Sequence, residues 1–224
     1  MKLIAKGISK EYLRDKKSKK IFFAVGVTDF ELAEGKFTEI VGRSGSGKST
    51  FLNILAGVLT PSSGKLFIDD KDVYALDDRE RSILRNSAVG VIPQGQTALK
   101  NLTVLENVLL PLTMYGEKDD DGYALKLLKK VGIDDLKDCY PAELSGGEMR
   151  RLAIARALIR KPGILLADEP TGDLDDENTI NVLELLKSLT LDGVSVLMVT
   201  HDKEAEGYAD EIYRMNAGLL IKEL

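Results

Sequence analysis

Hydrophobic residues fall along this chain in short runs separated by polar breaks, and the spacing within each run predicts one element of secondary structure. Leu3 to Ser9 and Ile21 to Leu32 are β-rich and partly alternating, predicting two strands joined by the polar segment Lys10 to Lys20. Phe37 to Val41 reads as a buried strand. The apolar run Phe51-Leu52-Asn53-Ile54-Leu55 lies in a helix from Ser49 to Gly57, which stops before the turn cluster Thr60-Pro61-Ser62-Ser63-Gly64. Short strand-like pieces follow at Lys65 to Ile68 and Val73 to Leu76, then a helix at Arg79 to Asn86, a strand at Ala88 to Ile92 and a loop at Pro93-Gln94-Gly95-Gln96. From Thr103 to about Lys130 the pattern is helical, broken by Glu117 to Asp121, and reads as an inserted helical lobe. Strong helix formers from Leu152 to Ile159 end at Pro162-Gly163. Ile164 to Ala167 and Val194 to Val199 are apolar enough for core strands, and Glu211 to Met215 with Leu219 to Ile221 read as a closing hairpin around Asn216-Ala217-Gly218. Parallel strands alternating with helices make an α/β fold.

Composition narrows the function classes. With 224 residues, 44% of them hydrophobic and 30% charged, the chain can bury a sizeable core. A net charge of −5 argues against a nucleic-acid surface, and no nucleic-acid partner is expected. The segment Lys10 to Lys20 holds six Lys/Arg, but Glu11 and Asp15 interleave, so a solvated hairpin loop is preferred over a lipid or nucleic-acid patch. The lone Cys139 cannot form an internal disulfide and fits a reducing compartment. Met1 to Lys10 lacks the apolar region of a signal peptide, and runs such as Val194 to Val199 fall far short of the roughly 20 residues needed to cross a bilayer.

Four stretches carry chemistry. Gly42-Arg43-Ser44-Gly45-Ser46-Gly47-Lys48-Ser49-Thr50 reads G-x-x-x-x-G-K-[ST] between a buried strand and a helix, the frame of a loop whose N–H groups cradle phosphates. Lys48 would reach the β/γ-phosphates and Ser49 a Mg²⁺ ion. Leu144-Ser145-Gly146-Gly147-Glu148 begins a second helix with exposed backbone donors, which serve equally to cap the helix or to bind an anion. Asp168-Glu169 ends a buried strand, where two adjacent carboxylates are costly unless a cation or proton is handled. His201, the single histidine, ends another. In open α/β sheets ligands bind beyond the carboxyl ends of the strands, so Lys48, Asp168-Glu169 and His201 are expected to converge on one crevice.

These stretches, with Gln94, Asp173-Leu174-Asp175 and their order and spacing, resemble the nucleotide-binding subunits of ABC transporters over nearly the whole chain. The resemblance implies a P-loop NTPase (RecA-like) α/β core with a mostly parallel sheet, an N-terminal antiparallel β subdomain and an inserted α-helical subdomain. One domain of residues 1–224 is implied, with 1–94 and 161–224 forming β subdomain and core and 95–160 the helical lobe. The implied ligands are ATP and Mg²⁺. Tyr12 matches the aromatic that stacks on adenine, with Phe22 as the alternative. Gly42 to Thr50 match the phosphate loop, Ser49 and Gln94 the metal ligands, and Asp168 a residue holding the ion through water. Glu169 matches the general base and His201 the residue positioning the attacking water and γ-phosphate. Ser145, Gly146, Gly147 and Glu148 would meet ATP bound to a second copy of the chain, and Asp175 would cross that interface.

Two departures from the family pattern stand out: Glu148 replaces the usual Gln, and Pro93 replaces the usual aromatic before Gln94, leaving Gln96 as a second reading of the switch glutamine. The implied function is an ATPase on the cytoplasmic face of the membrane, driving a separate permease. The wording of Leu102 to Leu112 and of Ala167 to Gly172 resembles the branch that holds macrolide exporters, lipoprotein-releasing ATPases and antimicrobial-peptide resistance transporters. The competing reading is a soluble ABC-type ATPase acting on DNA or ribosomes.

Overall fold

Two sheets close over one apolar helix. The computed structural model describes residues 1–15, 20–119, 122–201 and 204–223. In chain order the strands are β1 (Leu3–Asp15), β2 (Lys20–Leu32), β3 (Phe37–Val41), β4 (Ser63–Ile68), β5 (Lys71–Asp72), β6 (Val89–Ile92), β7 (Ile164–Asp168), β8 (Ser195–Thr200), β9 (Glu211–Asn216) and β10 (Leu219–Lys222). The helices are α1 (Lys48–Leu55), α2 (Asp78–Ala88), α3 (Val104–Thr113), α4 (Tyr123–Val131), α5 (Gly146–Leu158) and α6 (Asp176–Leu191). One sheet runs β2-β1-β4-β5 and is antiparallel. The other runs β10-β9-β3-β8-β7-β6 and is parallel from β9 to β6.

The apolar runs explain this layering. β3, β7 and β8 are buried along their whole lengths, as parallel strands covered on both faces must be. Helix α1 touches β1 and β2 of one sheet and β7 and β8 of the other, with Phe51, Leu52, Ile54 and Leu55 buried between them. Phe30 ties this core together, meeting Phe51 edge-on at 5.5 Å and Tyr213 at 5.2 Å. On the opposite face α5 and α6 lie against the parallel sheet, and α3 and α4 pack on α5 to form the helical lobe. No helix of the described residues is long and apolar enough to cross a membrane.

Three expectations change. The basic segment is not simply a loop: β1 continues to Asp15 and β2 begins at Lys20, with Tyr12 opposite Phe22 and Leu13 opposite Ile21. Cross-strand pairing outweighs the local charge pattern there, and residues 16–19 lie outside the described residues. Val73 to Leu76 forms a turn rather than a strand; Val73 is apolar because it plugs the core beneath α1. No element is expected between Asp175 and Leu191 from the runs above, yet α6 spans 16 residues there. Its signal is present in Val182, Leu183, Leu186 and Leu189, all buried at helical spacing, behind an Asp175 cap.

Phe51→Ala should lower unfolding stability by about 3–5 kcal/mol, because it empties the space between the two sheets. Urea denaturation should show a lower midpoint with an unchanged slope.

Candidate functional site

The loop from Gly42 to Gly47 leaves the end of β3 and turns into α1, so its shape is set by two fixed elements. Gly47 caps α1 with φ of 110°, and a methyl group there would fall 2.0 Å from the carbonyl oxygen of Ala24 on β2. Only glycine allows that approach. No side chain caps the helix, and Phe51 is the first residue after the loop to donate back, to Gly47 O at 2.9 Å. The N–H groups of Lys48, Ser49 and Thr50 therefore open the helix without an intrahelical acceptor, at its positive end.

Lys48 is only 5% exposed. Its Nζ donates to Gly42 O at 2.7 Å and Arg43 O at 3.3 Å, and it lies 3.9 Å from Glu169 Oε1. Burial pulls its pKa down, against the pull of Glu169 and Asp168. Asp168 ends β7 almost buried and accepts a hydrogen bond from Ser49 Oγ at 3.1 Å. Burial raises its carboxyl above the usual range, the Ser49 hydroxyl works the other way, and Glu169 adds to the rise.

Glu169 sits beyond the strand end with φ of 46°, an unusual conformation for a residue with a side chain. Its N–H is held by Val199 O at 2.9 Å, which aims the carboxylate into the crevice. Gln94 Nε2 donates to Oε2 at 3.1 Å, and His201 Nδ1 lies 3.2 Å from Oε1. His201 itself is 60% exposed, so one face of this cluster is open.

Lys48, Ser49, Gln94, Glu169 and His201 line one cleft of about 970 Å³ together with Tyr12 and Phe22. Both aromatics are exposed, and they sit opposite each other in the β1–β2 ladder. Arg43, Ser44 and Gly45 form the exposed tip of the loop, Ser46 is buried, and Thr50 continues the lining. Gln96 points elsewhere, into a groove with Arg150 and Arg156 beside α5, so Gln94 is the glutamine that reaches the carboxylate.

Sequence reasoning missed Arg214, which also lines the cleft and pairs with Glu223 at 2.9 Å. It stands beside Val41 because β9 pairs in parallel with β3, a long-range contact that local pattern does not disclose.

Ser49 Oγ is a hard oxygen donor held 3.1 Å from the Asp168 carboxylate, a pair that suits Mg²⁺ with Ser49 as a ligand and Asp168 reaching the ion through a coordinated water. No cluster of three His, Cys, Asp or Glu among the described residues offers a fuller protein cage.

The second candidate stretch, Ser145 to Glu148, does not line this cleft. Ser145 caps α5 and is exposed. The Glu148 carboxylate turns back to accept from Ser145 N at 2.7 Å and Ser145 Oγ at 2.8 Å. Those hydrogen bonds hold Glu148 below the usual carboxylate range, so its charge is spent on the cap. Asp175 likewise caps α6 through Asn178 N at 2.8 Å. The structure thus gathers Tyr12, the phosphate loop, Gln94, Glu169 and His201 around one cleft, with Asp168 joined to it through Ser49, and leaves Ser145 to Glu148 and Asp175 outside it.

A model of the family described as ABC transporter matches residues 26–172. The chain is 41% identical over 198 residues to the lipoprotein-releasing system ATP-binding protein of Saccharophagus degradans, with 87% of each covered. It is 43% identical over 194 residues to the macrolide export ATP-binding/permease protein of Chlorobium luteolum, covering 86% of this chain and 29% of that longer one. It also resembles the solved dimeric structure of an ATP-binding cassette in a post-hydrolysis state bound to ADP and Pi. That match has a TM-score of 0.88, 35% identity and 98% of both chains covered.

Two glycines of the loop should respond differently to a methyl group. Gly47→Ala meets both a positive φ and the Ala24 carbonyl, and should cost more than about 3 kcal/mol with loss of nucleotide affinity. Gly45→Ala has a positive φ but nothing within 4 Å, and should cost about 1–2 kcal/mol with affinity largely kept. Thermal unfolding and fluorescent-nucleotide titration of the two variants check this.

Proposed function

Because this chain belongs to the ABC transporter family, we propose that it is an ATP-hydrolysing subunit that closes on a second copy of itself around two Mg-ATP and thereby drives a membrane permease. The observation that carries the proposal is the division of the site. One cleft holds a phosphate loop, a carboxylate and a histidine, while the N-terminal end of α5, capped by the exposed Ser145, does not line it. Each is half of a site. A two-fold axis joins the loop of one copy to Ser145, Gly146 and Gly147 of the other, and does so twice.

In this reading Lys48 exchanges the carbonyls of Gly42 and Arg43 for β- and γ-phosphate oxygens, and the free N–H groups of α1 bind the same phosphates. Ser49 and Gln94 would hold the cation, and Asp168 would hold it through water. Bound Mg²⁺ neutralises charge on the β- and γ-phosphates. Tyr12 stacks on adenine, with Phe22 beside it. Glu169 accepts the proton of the water whose oxygen bonds to the γ-phosphorus as the bond to ADP breaks, and His201 holds that water and the γ-phosphate in place. Loss of the γ-phosphate removes the charge-assisted hydrogen bonds between the copies, and the interface loosens.

Residues 95–160 form the lobe that carries this motion from Gln94 to the permease. The relatives named for lipoprotein release and macrolide export support a transporter on the cytoplasmic face of the membrane over a soluble ATPase acting on DNA or ribosomes. Within that branch, handling of peptides, lipoproteins or drugs is the reading favoured here.

Glu169→Gln should bind Mg-ATP, lose more than about a hundredfold in turnover and run as a dimer on gel filtration at saturating ATP. A monomer with parental turnover would contradict the mechanism. Recovery of the tagged chain from detergent-solubilised cells should bring an integral membrane protein with it. Recovery with ribosomes or DNA and no membrane protein would overturn the transporter reading.

A further inference from the structure

Beneath the helix end where Ser145 and Gly146 are exposed lies a contact that none of the roles above uses. Gly147 is buried against α6, and a methyl group on it would fall 2.3 Å from Asn178 Oδ1 and 2.7 Å from Asn178 Cγ. The backbone of α5 therefore rests directly on the Asn178 amide. That amide is fixed from both ends. Its Nδ2 donates to both carboxylate oxygens of Asp175, at 3.0 and 2.9 Å, while its Oδ1 accepts from Arg151 Nη2 at 3.4 Å. Arg151 lies one turn further along α5, so the guanidinium of one helix and the cap carboxylate of the other are bridged by one side chain. A methyl on neighbouring Gly146 would stand 3.7 Å from Leu174 Cδ2, so the loop before α6 abuts the same turn.

Only an amide fits this place. A carboxylate cannot donate to Asp175 and would repel it; a hydroxyl can donate to Asp175 but is too short to reach Arg151 as well; a hydrocarbon does neither. We propose that Asn178 is a positioning residue that locks the Ser145–Gly147 helix end to Asp175, so that the two groups that meet the partner copy move as one rigid edge. The proposal rests on the reading of those groups as partner-facing. It assigns Gly147 a second reason to lack a side chain, the close approach of Asn178 from its own chain.

The test compares Asn178→Ala, Asn178→Asp and Asn178→Ser in two measurements. In nucleotide-free protein, hydrogen exchange of the 145–149 amides should quicken about tenfold in the Ala and Asp variants, with residues 42–50 unchanged. In the Glu169→Gln background, the protein concentration at half-dimerisation with saturating Mg-ATP should rise about tenfold for the same two variants, while fluorescent-nucleotide affinity of the monomer stays within about twofold. Asn178→Ser should recover part of both effects. A purely structural role would lower the melting temperature without moving the dimer midpoint. Parental exchange and a parental midpoint in the Ala and Asp variants would overturn the proposal. If Glu169→Gln itself never dimerises, the shared-site reading falls, and the exchange result still decides whether Asn178 holds the helix end.

Discussion

A lysine ammonium that is almost wholly enclosed has to be surrounded by oxygen, and that requirement shapes the middle of this molecule. Lys48 meets it with two loop carbonyls and the nearby carboxylates at the end of β7. The loop can offer its carbonyls only because it folds back tightly between β3 and α1, and that fold brings Gly47 against β2. The antiparallel sheet is thereby drawn over the phosphate loop, which sets Tyr12 and Phe22 in the lining of the same cleft. Core packing supports the arrangement: Phe51 and Phe30 join α1 to both sheets, so the loop has rigid ground on each side.

The charges at the strand ends are poised rather than settled. Asp168 and Glu169 are adjacent carboxylates, and Asp168 is pushed toward its neutral form by burial. Ser49, Gln94 and Lys48 supply partial relief. Such a cluster gains most from a ligand that brings a divalent cation to the carboxylates and anionic oxygens to Lys48. On the α5 side the balance differs, because Glu148 and Asp175 are already satisfied by the helix ends they cap. That edge is already assembled within its own chain.

Much of this was legible in the sequence. The continuous apolar runs of β3, β7 and β8 announced buried parallel strands, and the residues that follow each run marked the crevice. The glycines and the Lys-Ser pair of the loop disclosed phosphate chemistry because few backbones other than such a loop need that spacing. Local pattern was less informative where long-range pairing decides. Val73 reads as strand by composition but plugs a turn, β1 extends through a basic segment because β2 lies alongside it, and Arg214 reaches the cleft only through the β3–β9 pairing. Helix α6 went unread although its apolar spacing is regular; the punctuation of Asp173 to Asp175 drew attention to the turn instead of the helix it caps.

The central claim, that each site is assembled from two chains, is tested most directly by mixing two inactive variants. Lys48→Ala removes the phosphate-binding half and Ser145→Arg blocks the helix-end half, the latter at an exposed position that should leave the fold intact. Each alone should be inactive as a dimer of identical copies. Mixed in equal amounts, half of the dimers contain one of each and carry one intact site, so ATPase activity should return to about a quarter of the parent. No recovery on mixing, with both variants folded and dimer exchange demonstrated, would contradict the account.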